Sequence, residues 1–336
     1  MFKGKRILIT GGTGSLGRAL TRRLLDMGAE SVRVYSRNEN NQIMMQREFQ
    51  NDPRLRFLIG DVRDKDRLVR AMEGAHIVFH AAALKHVPVI EYNPFEAIKT
   101  NVIGSQNVID ACHIEKVELA VGIGTDKAVS PLNVYGATKL LMEKLFTTAS
   151  NYVNLEKHPT KFVAIRYGNV LGSSGSVIPM FIEQILSKRK ITITHPKMTR
   201  FSIMMNEALD FILNSAENAK GSETFVPKLR SYNIVDLRDT LMDLLGNTET
   251  EIIDVRPGEK LHEILINENE MRYTLENKSN YVIVPPDFTD EHLSKAYADY
   301  QPVREISDYS SDKVELIPKD DLKKMIVESG LLQTYK

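Results

Sequence analysis

A single cysteine, Cys112, stands in a chain of 336 residues, which excludes an internal disulfide framework and fits a reducing compartment. Its helix-like neighbours point to buried packing rather than a reactive thiol. No apolar run reaches membrane-spanning length; the nearest, residues 75–84, is short and contains His76 and His80. The N-terminus runs straight into an apolar segment with no signal peptide before it. A soluble, cytoplasmic protein is expected. An excess of charge is lacking too, because 44 Lys and Arg balance 44 Asp and Glu. With no basic block there is no electrostatic footprint for nucleic acid or an anionic membrane surface. Internal repeats, low-complexity tracts and an expected metal site are absent as well.

What the chain does contain is alternation. Apolar, strand-like runs recur at 6–10, 31–35, 56–59, 76–79, 118–123 and 161–165, separated by segments of helical periodicity. That pattern predicts an α/β fold with a doubly wound parallel sheet. The length allows one large or two modest domains. Near residue 170 the alternation weakens, and Gly172-Ser173-Ser174-Gly175-Ser176 and Pro179 follow. The expected division is a dinucleotide-binding domain over 1–170 and a smaller substrate-binding region over 171–336. Some of the latter, such as Thr224-Phe225-Val226, is expected to return to the main sheet. The last fifty residues, ending in a helical stretch over 319–332, read as a tail packed over that region.

The first run, Arg6 to Thr10, leads into Gly11-Gly12-Thr13-Gly14-Ser15-Leu16-Gly17 and then an amphipathic segment, Arg18 to Met27. Strand, glycine loop and helix in that order form a dinucleotide cradle. Gly11, Gly14 and Gly17 allow a tight turn, close approach of a pyrophosphate and helix packing, while the helix N-terminus supplies donors to phosphate. Thr13, Ser15 and Leu16 complete the loop. The three-three glycine spacing is that of short-chain dehydrogenase/reductase Rossmann folds. The second strand ends in Ser36-Arg37, where an NAD site would offer an acidic residue. A guanidinium there suits the 2′-phosphate of NADP, although an arginine can also stack on adenine. Asp61 and Val62 are placed to contact the adenine edge, or Asp61 simply caps a strand. Ala81-Ala82-Ala83 is small enough for the nicotinamide ribose to lie against the backbone. His80 reads as a hydrogen-bonded core histidine and Asn101 as a structural amide.

Thr125-Asp126-Lys127, followed by Tyr135-Gly136-Ala137-Thr138-Lys139, packs an acid, a base and a phenol into fifteen residues. On a helix Tyr135 and Lys139 share a face about 5 to 6 Å apart. The ammonium is therefore expected to lower the phenol's pKa from its usual value of about 10. Alone, such a pair is also what an ordinary solvated helix face presents.

Together these residues resemble a family. Thr10 to Gly17, Tyr35-Ser36-Arg37, Gly60-Asp61-Val62-Arg63-Asp64, His80-Ala81-Ala82-Ala83-Leu84-Lys85-His86-Val87-Pro88, Thr125-Asp126-Lys127 and Arg256-Pro257-Gly258-Glu259-Lys260-Leu261-His262-Glu263 are similar to the inverting UDP-N-acetylglucosamine 4,6-dehydratases. These extended short-chain dehydrogenase/reductases open the pseudaminic acid pathway. The resemblance covers nearly the whole length, including Tyr309-Ser310-Ser311. Relatives acting on glucose nucleotides carry glutamate where Lys127 stands. Gly124 departs from the serine usual in the pseudaminic branch and looks more like capsule-type dehydratases, whereas Tyr135 stands where those tend to have methionine.

The resemblance implies a set of roles. Tyr135, helped by Lys139, takes the C4 hydroxyl proton; Thr125 holds the C4 oxygen; Lys127, neutral through a depressed pKa, abstracts the C5 proton; protonated Asp126 donates to the C6 hydroxyl. NADP is the bound cofactor, with Lys85, Tyr135 and Lys139 near it, and UDP-N-acetylglucosamine is the substrate. Lys85, Asn169, Val177, Arg200, Arg256 and Glu259 would grip that substrate, Arg200 and Arg256 through its diphosphate and Glu259 through the uridine ribose. A homo-oligomer, dimer or hexamer, is implied as well. A UDP-sugar 4-epimerase, a C5-retaining dehydratase and a non-catalytic NADP-binding protein are the competing readings.

Overall fold

The computed structural model describes residues 1–172, 176–286, 296–304 and 307–335. Ser173, Ser174 and Gly175, within the Gly/Ser-rich stretch, lie outside them. Six strands, β1 (Arg6–Thr10), β2 (Ser31–Ser36), β3 (Leu55–Ile59), β4 (Ile77–His80), β5 (Leu119–Ile123) and β6 (Lys161–Ile165), each match a run seen in the sequence. They lie in the order 3-2-1-4-5-6, every pair parallel. Successive side chains of a strand face opposite ways, and here both faces are covered. Ile7 and Ile9 of β1 enter one core with Phe79, Val121 and Val163. Leu8 enters the other with Val78, Ala120 and Phe162. Near-continuous apolar strands are what burial on both faces demands, so the fold is a doubly wound Rossmann sheet.

The strand order reverses between β1 and β4, which opens a crevice at the carboxyl ends of the strands. Thr224–Pro227 lies parallel beside β6. Asn280–Ile283, Thr274–Glu276 and Gln301–Pro302 continue the same sheet antiparallel. Asn169–Val170 instead pairs with Thr199–Ile203 in a small second sheet. A separate core forms where helices Val177–Leu186, Ile234–Leu245 and Lys319–Glu328 meet Ile191 and Ile193. Tyr309–Ser310 pairs with Ile264–Ile266, and Tyr309 packs on Phe201 and Tyr281. The tail is thereby stitched to both sheets.

Three polar or reactive residues are structural. His80 is buried, with Nδ1 2.7 Å from Thr10 Oγ1 and Nε2 3.0 Å from Ser105 Oγ. Asn101, in a π-helical turn over Ile98–Ile103, clamps Leu84 by accepting from its N–H at 2.8 Å and donating to its carbonyl at 2.9 Å. Cys112 is buried, and burial pushes its thiol pKa up.

The helix Ser15–Asp26 packs closely on the glycine loop that follows β1 because Gly17 has no side chain: a Cβ there would sit 2.5 Å from Gly12 Cα and its carbonyl oxygen. Gly17→Ala is expected to destabilise the protein by about 1–3 kcal/mol, the usual cost of overpacking, outweighing alanine's helix propensity of about 1 kcal/mol. The urea unfolding midpoint measures this; an unchanged or higher midpoint would contradict the packing.

Candidate active site

One cleft of about 1430 Å³ runs across the carboxyl ends of the strands. The candidate cofactor residues line one end. Gly11 leaves β1 with φ +68°, and a Cβ on it would lie 2.8 Å from Ala82 Cα and N, so the glycine loop and the Ala81–Ala83 segment lie in contact. Gly14 precedes the helix Ser15–Asp26 as its N-cap, so the positive end of that helix points at the space where a phosphate would lie. Thr13, Ser15, Leu16, Gly17, Ser36, Arg37, Asp61 and Val62 face the same space. Arg37 is about half exposed, its guanidinium 3.8 Å from Asp61. Asp61 is held more tightly by Arg63, at 2.7 and 3.0 Å; although burial acts against it, the pairing keeps the carboxyl below its ordinary range. The structure thus places a cation, rather than an acid, beyond the end of β2.

At the other end, Thr125, Lys127, Tyr135 and Lys139 line the cleft while Asp126 does not. A short 3-10 turn over Asp126–Ala128 follows β5 and turns Asp126 inward, where it is fully buried. Its Oδ1 accepts from Thr125 Oγ1 at 2.9 Å and from Lys127 Nζ at 3.0 Å. Lys127 Nζ also lies 3.4 Å from Asn169 Oδ1 and 3.5 Å from Glu263 Oε1. Three acceptors surround an ammonium with three hydrogens.

This geometry corrects two expectations about ionisation. Burial acts to depress Lys127, but Asp126 and Glu263 outweigh it and hold the ammonium above its ordinary pKa. The depressed, neutral lysine expected from desolvation is therefore not the resting state. The phenol of Tyr135 is pushed up to about 12 by burial first, with Asp126 and Glu143 adding to it against Lys127 and the Thr125 hydroxyl. Lys139 is not among the causes. Its Nζ donates instead to the Ile123 carbonyl at 2.5 Å, and burial brings it down to about 8, against the pull of Glu143.

The substrate-side residues also converge on the cleft: Lys85, Asn169, Val177, Arg200, Arg256 and Glu259 all line it. Arg200 differs from expectation. Its Nη1 donates to the carbonyls of Thr199 at 2.8 Å and Leu261 at 3.0 Å, and Nη2 to Lys260 at 3.0 Å. Most of the fork is spent holding the loop 256–263, which reduces what it can offer a diphosphate, whereas Arg256 is exposed at the rim. Loss of solvation, then the like charge of Lys127, pushes Lys85 down.

Sequence reasoning missed Glu263 and Glu143. Glu263 is buried, lines the cleft beside Lys127 and Arg200, and leaves Oε2 without a partner among the described residues. Its backbone N–H donates to Ser311 Oγ at 2.9 Å. Glu143, one turn beyond Lys139, is buried against Arg166, whose guanidinium also binds Glu270. Its spacing from Lys139 was visible in the sequence; Glu263 had no local signal.

The fold and cleft define a nucleotide-cofactor enzyme of the extended short-chain dehydrogenase/reductase class. Within it the chain belongs to the polysaccharide biosynthesis protein family, whose profile matches residues 7–285. It is 46% identical over 288 residues to a UDP-N-acetylglucosamine 4,6-dehydratase (inverting) of Campylobacter jejuni, covering 85% of this chain and 84% of that one. It is 38% identical over 339 residues to a protein of Rickettsia bellii named UDP-glucose 4-epimerase, covering 99% and 98%. The X-ray structure of Pen from Bacillus thuringiensis superposes with a TM-score of 0.91 at 39% identity, covering 98% of this chain and 99% of that one. Among the described residues no helix is long and apolar enough to cross a membrane.

Burial of Lys139 has a consequence for stability. Its pKa is about 8 in the fold against an ordinary 10.5, so between those values the unfolded chain binds more protons. Stability contributed by this site therefore rises with pH across that window and is lowest below it. The unfolding free energy of wild type minus that of Lys139→Met should increase from pH 8 to pH 10.5 and be flat below. No rise over that window, with a fall only above pH 10.5, would mean that Glu143 outweighs burial.

Proposed function

We propose that this chain is an NADP-dependent, redox-neutral, C5-inverting 4,6-dehydratase of UDP-N-acetylglucosamine. The observation that carries this reading is the Asp126–Lys127 pair, 3.0 Å apart, set beside Tyr135 and Lys139 in the cleft of a polysaccharide-biosynthesis family member. The Campylobacter likeness supports the reaction and its substrate. The product, UDP-2-acetamido-2,6-dideoxy-β-L-arabino-hexos-4-ulose, would feed pseudaminic acid or a related surface-glycan sugar. We place the enzyme in the cytoplasm as a homo-oligomer, dimer or hexamer, with residues 1–170 holding the cofactor and 171–336 most of the UDP-sugar.

The glycine loop, Ser36, Arg37, Asp61, Val62, Ala81–Ala83 and Lys85 would hold the dinucleotide, with Arg37 available to a 2′-phosphate. Held there, it would supply the hydride chemistry of the cycle, acceptance from C4 and return to C6. Tyr135, as the phenolate that the positive charge of a bound nicotinamide would favour, accepts the C4 hydroxyl proton, and Thr125 orients the C4 oxygen. A ketone at C4 makes the C5 proton acidic enough to remove. In the resting ion pair Lys127 carries one proton more than a base needs, and Asp126 one fewer than an acid needs. Moving a single proton from Nζ to Oδ1 along their hydrogen bond corrects both. Lys127 then takes the C5 proton, and the acid proton of Asp126, which does not itself border the cleft, passes through the Thr125 hydroxyl to leave with the C6 oxygen as water. The pair returns to its ionic form, a solvent proton reaches C5 on the face opposite Lys127 once the hydride is back, and Tyr135 gives up the C4 hydroxyl proton to solvent. Lys85, Asn169, Val177, Arg256 and Glu259 position the UDP-sugar.

The likeness to the Rickettsia protein keeps a 4-epimerase as the second reading. Epimerisation needs the Tyr135 and Lys139 step but gives Lys127, bracketed by two carboxylates, nothing to do. Incubation of UDP-N-acetylglucosamine with the enzyme in deuterium oxide, followed by proton NMR, separates the readings. A 6-methyl-4-keto sugar of L-arabino configuration, deuterated at C5, is expected. A D-xylo product would remove inversion, and a galacto product with no methyl would make the chain an epimerase. Lys127→Ala should lower turnover by about 10²–10⁴-fold, the range for loss of a general base, and abolish C5 exchange with the cofactor still bound; persistent exchange would sink that role.

Arg37→Ala should weaken NADP binding by about 10- to 100-fold, the worth of a charge-assisted hydrogen bond, and leave NAD binding nearly unchanged. Titration with each dinucleotide checks it, and equal losses would mean that Arg37 stacks on adenine.

A further inference from the structure

The roles proposed so far leave one part of a UDP-sugar without a partner. Arg256 takes the diphosphate, Glu259 the ribose, and Lys85, Asn169 and the reacting groups the hexose, but nothing meets the base. Of the Phe and Tyr rings that line the cleft, Tyr35, Tyr167 and Phe181 are buried, and Tyr135 is engaged at C4. Tyr335 also lines it and is 41% exposed. The fold delivers that ring to a defined place. After the helix Lys319–Glu328, Gly330 turns the chain with φ +71° into a short 3-10 turn, Leu331–Tyr335. Leu331 and Leu332 pack into the core that holds Val177, Met180, Ile193 and Ile234, and these four side chains also border the cleft. Leu331 lies against Gly172, where a Cβ would overlap it. The cleft thus has an apolar end, and Tyr335 stands at it. The diphosphate grip is close by: the Ile253 N–H donates to the Ile193 carbonyl at 2.9 Å, and Arg256 follows within about 11 Å of extended chain.

Resting on the UDP-sugar reading, we propose that Tyr335 is the base-binding platform of the substrate site, its ring stacked on the face of the uracil while Val177, Met180, Ile193 and Ile234 close the apolar surroundings. A pyrimidine suits this end because it is flat, weakly solvated on its faces and polar only along its edge. One exposed aromatic ring and an aliphatic wall recognise such a group without a charge. Tyrosine also has few side-chain torsions to fix, so the contact costs little conformational entropy. The turn Leu331–Tyr335 is then part of the substrate site rather than a cover over it, and Gly172 and Gly330 are the two positions that let it reach the cleft.

A ring that stacks on the base acts only on ligands that carry one, whereas a ring that merely supports the fold acts on all. Calorimetric titration of the NADP-loaded enzyme with UDP and with ribose 5-diphosphate, which keeps the ribose and diphosphate and lacks the base, separates these roles. Tyr335→Ala should weaken UDP by about 5- to 150-fold, the range for a base stacked on an aromatic ring, and change ribose 5-diphosphate by less than about twofold. Tyr335→Trp should keep the preference of wild type for UDP. If the alanine chain does not fold, Tyr335→Leu, which keeps apolar bulk and loses the aromatic face, supplies the same comparison. Equal losses for the two ligands, or no loss for either, would overturn the stack. Absence of UDP binding by wild type would instead overturn the UDP-sugar reading, and the stack with it.

Discussion

The site depends on one half-buried cation. Lys127 Nζ is surrounded by Asp126, Asn169 and Glu263, each delivered by a different part of the chain. Asp126 comes from the turn after β5, Asn169 from the strand that opens the small sheet, and Glu263 from the loop that Arg200 holds. An ammonium that has lost most of its water must find acceptors or give up its proton. Here it finds three, and the Rossmann sheet and the C-terminal region become parts of one chemical unit. The loop 256–263 is further tied down where Asn133 donates to the Gly258 carbonyl at 2.8 Å and Lys260 donates to Val129.

A second buried charge cluster sits behind the first. Arg166 binds Glu143 at 2.7 Å and Glu270 at 2.9 Å, and its Nη1 donates to the Leu265 carbonyl. Such clusters are costly to bury and costly to break. This one connects the helix bearing Tyr135 and Lys139 to the segment just after Glu263. It also explains a departure noted in the sequence. A Cβ on Gly124 would lie 2.4 Å from Glu143 Oε1 and 2.7 Å from the Ile165 carbonyl oxygen, so the serine usual in the pseudaminic branch does not fit this arrangement. Glycine at 124 and the inward carboxylate of Glu143 go together.

Much of this was legible beforehand where the signal is local. Strands buried on both faces must be apolar throughout, so β1, β4, β5 and β6 could be located from runs alone, while β2 and β3, partly open on one face, gave shorter ones. The glycine loop had to be glycine for steric reasons that hold in any chain, as Gly11 against Ala82 and Gly17 against Gly12 show. His80, Asn101 and Cys112 behaved as buried structural residues. What misled was electrostatics. Tyr135 and Lys139 share a helix face, but the hydrogen bond from Lys139 goes to Ile123, and the charges that act on Tyr135 come from Lys127, Asp126 and Glu143. Arg200 reads as a free guanidinium until its neighbouring carbonyls are in place.

The amino-acid sequence by itself determined the order of strands and helices, the phosphate cradle and the identity of the groups that can exchange protons, because these follow from patterns of a few residues. Only the tertiary structure decided the ionisation of those groups, the burial of Asp126 behind Lys127 and the arrival of Glu263 beside them. Charge interactions depend on distance and exposure rather than on separation along the chain. Lys127 and Glu263 are far apart in sequence and 3.5 Å apart in the fold.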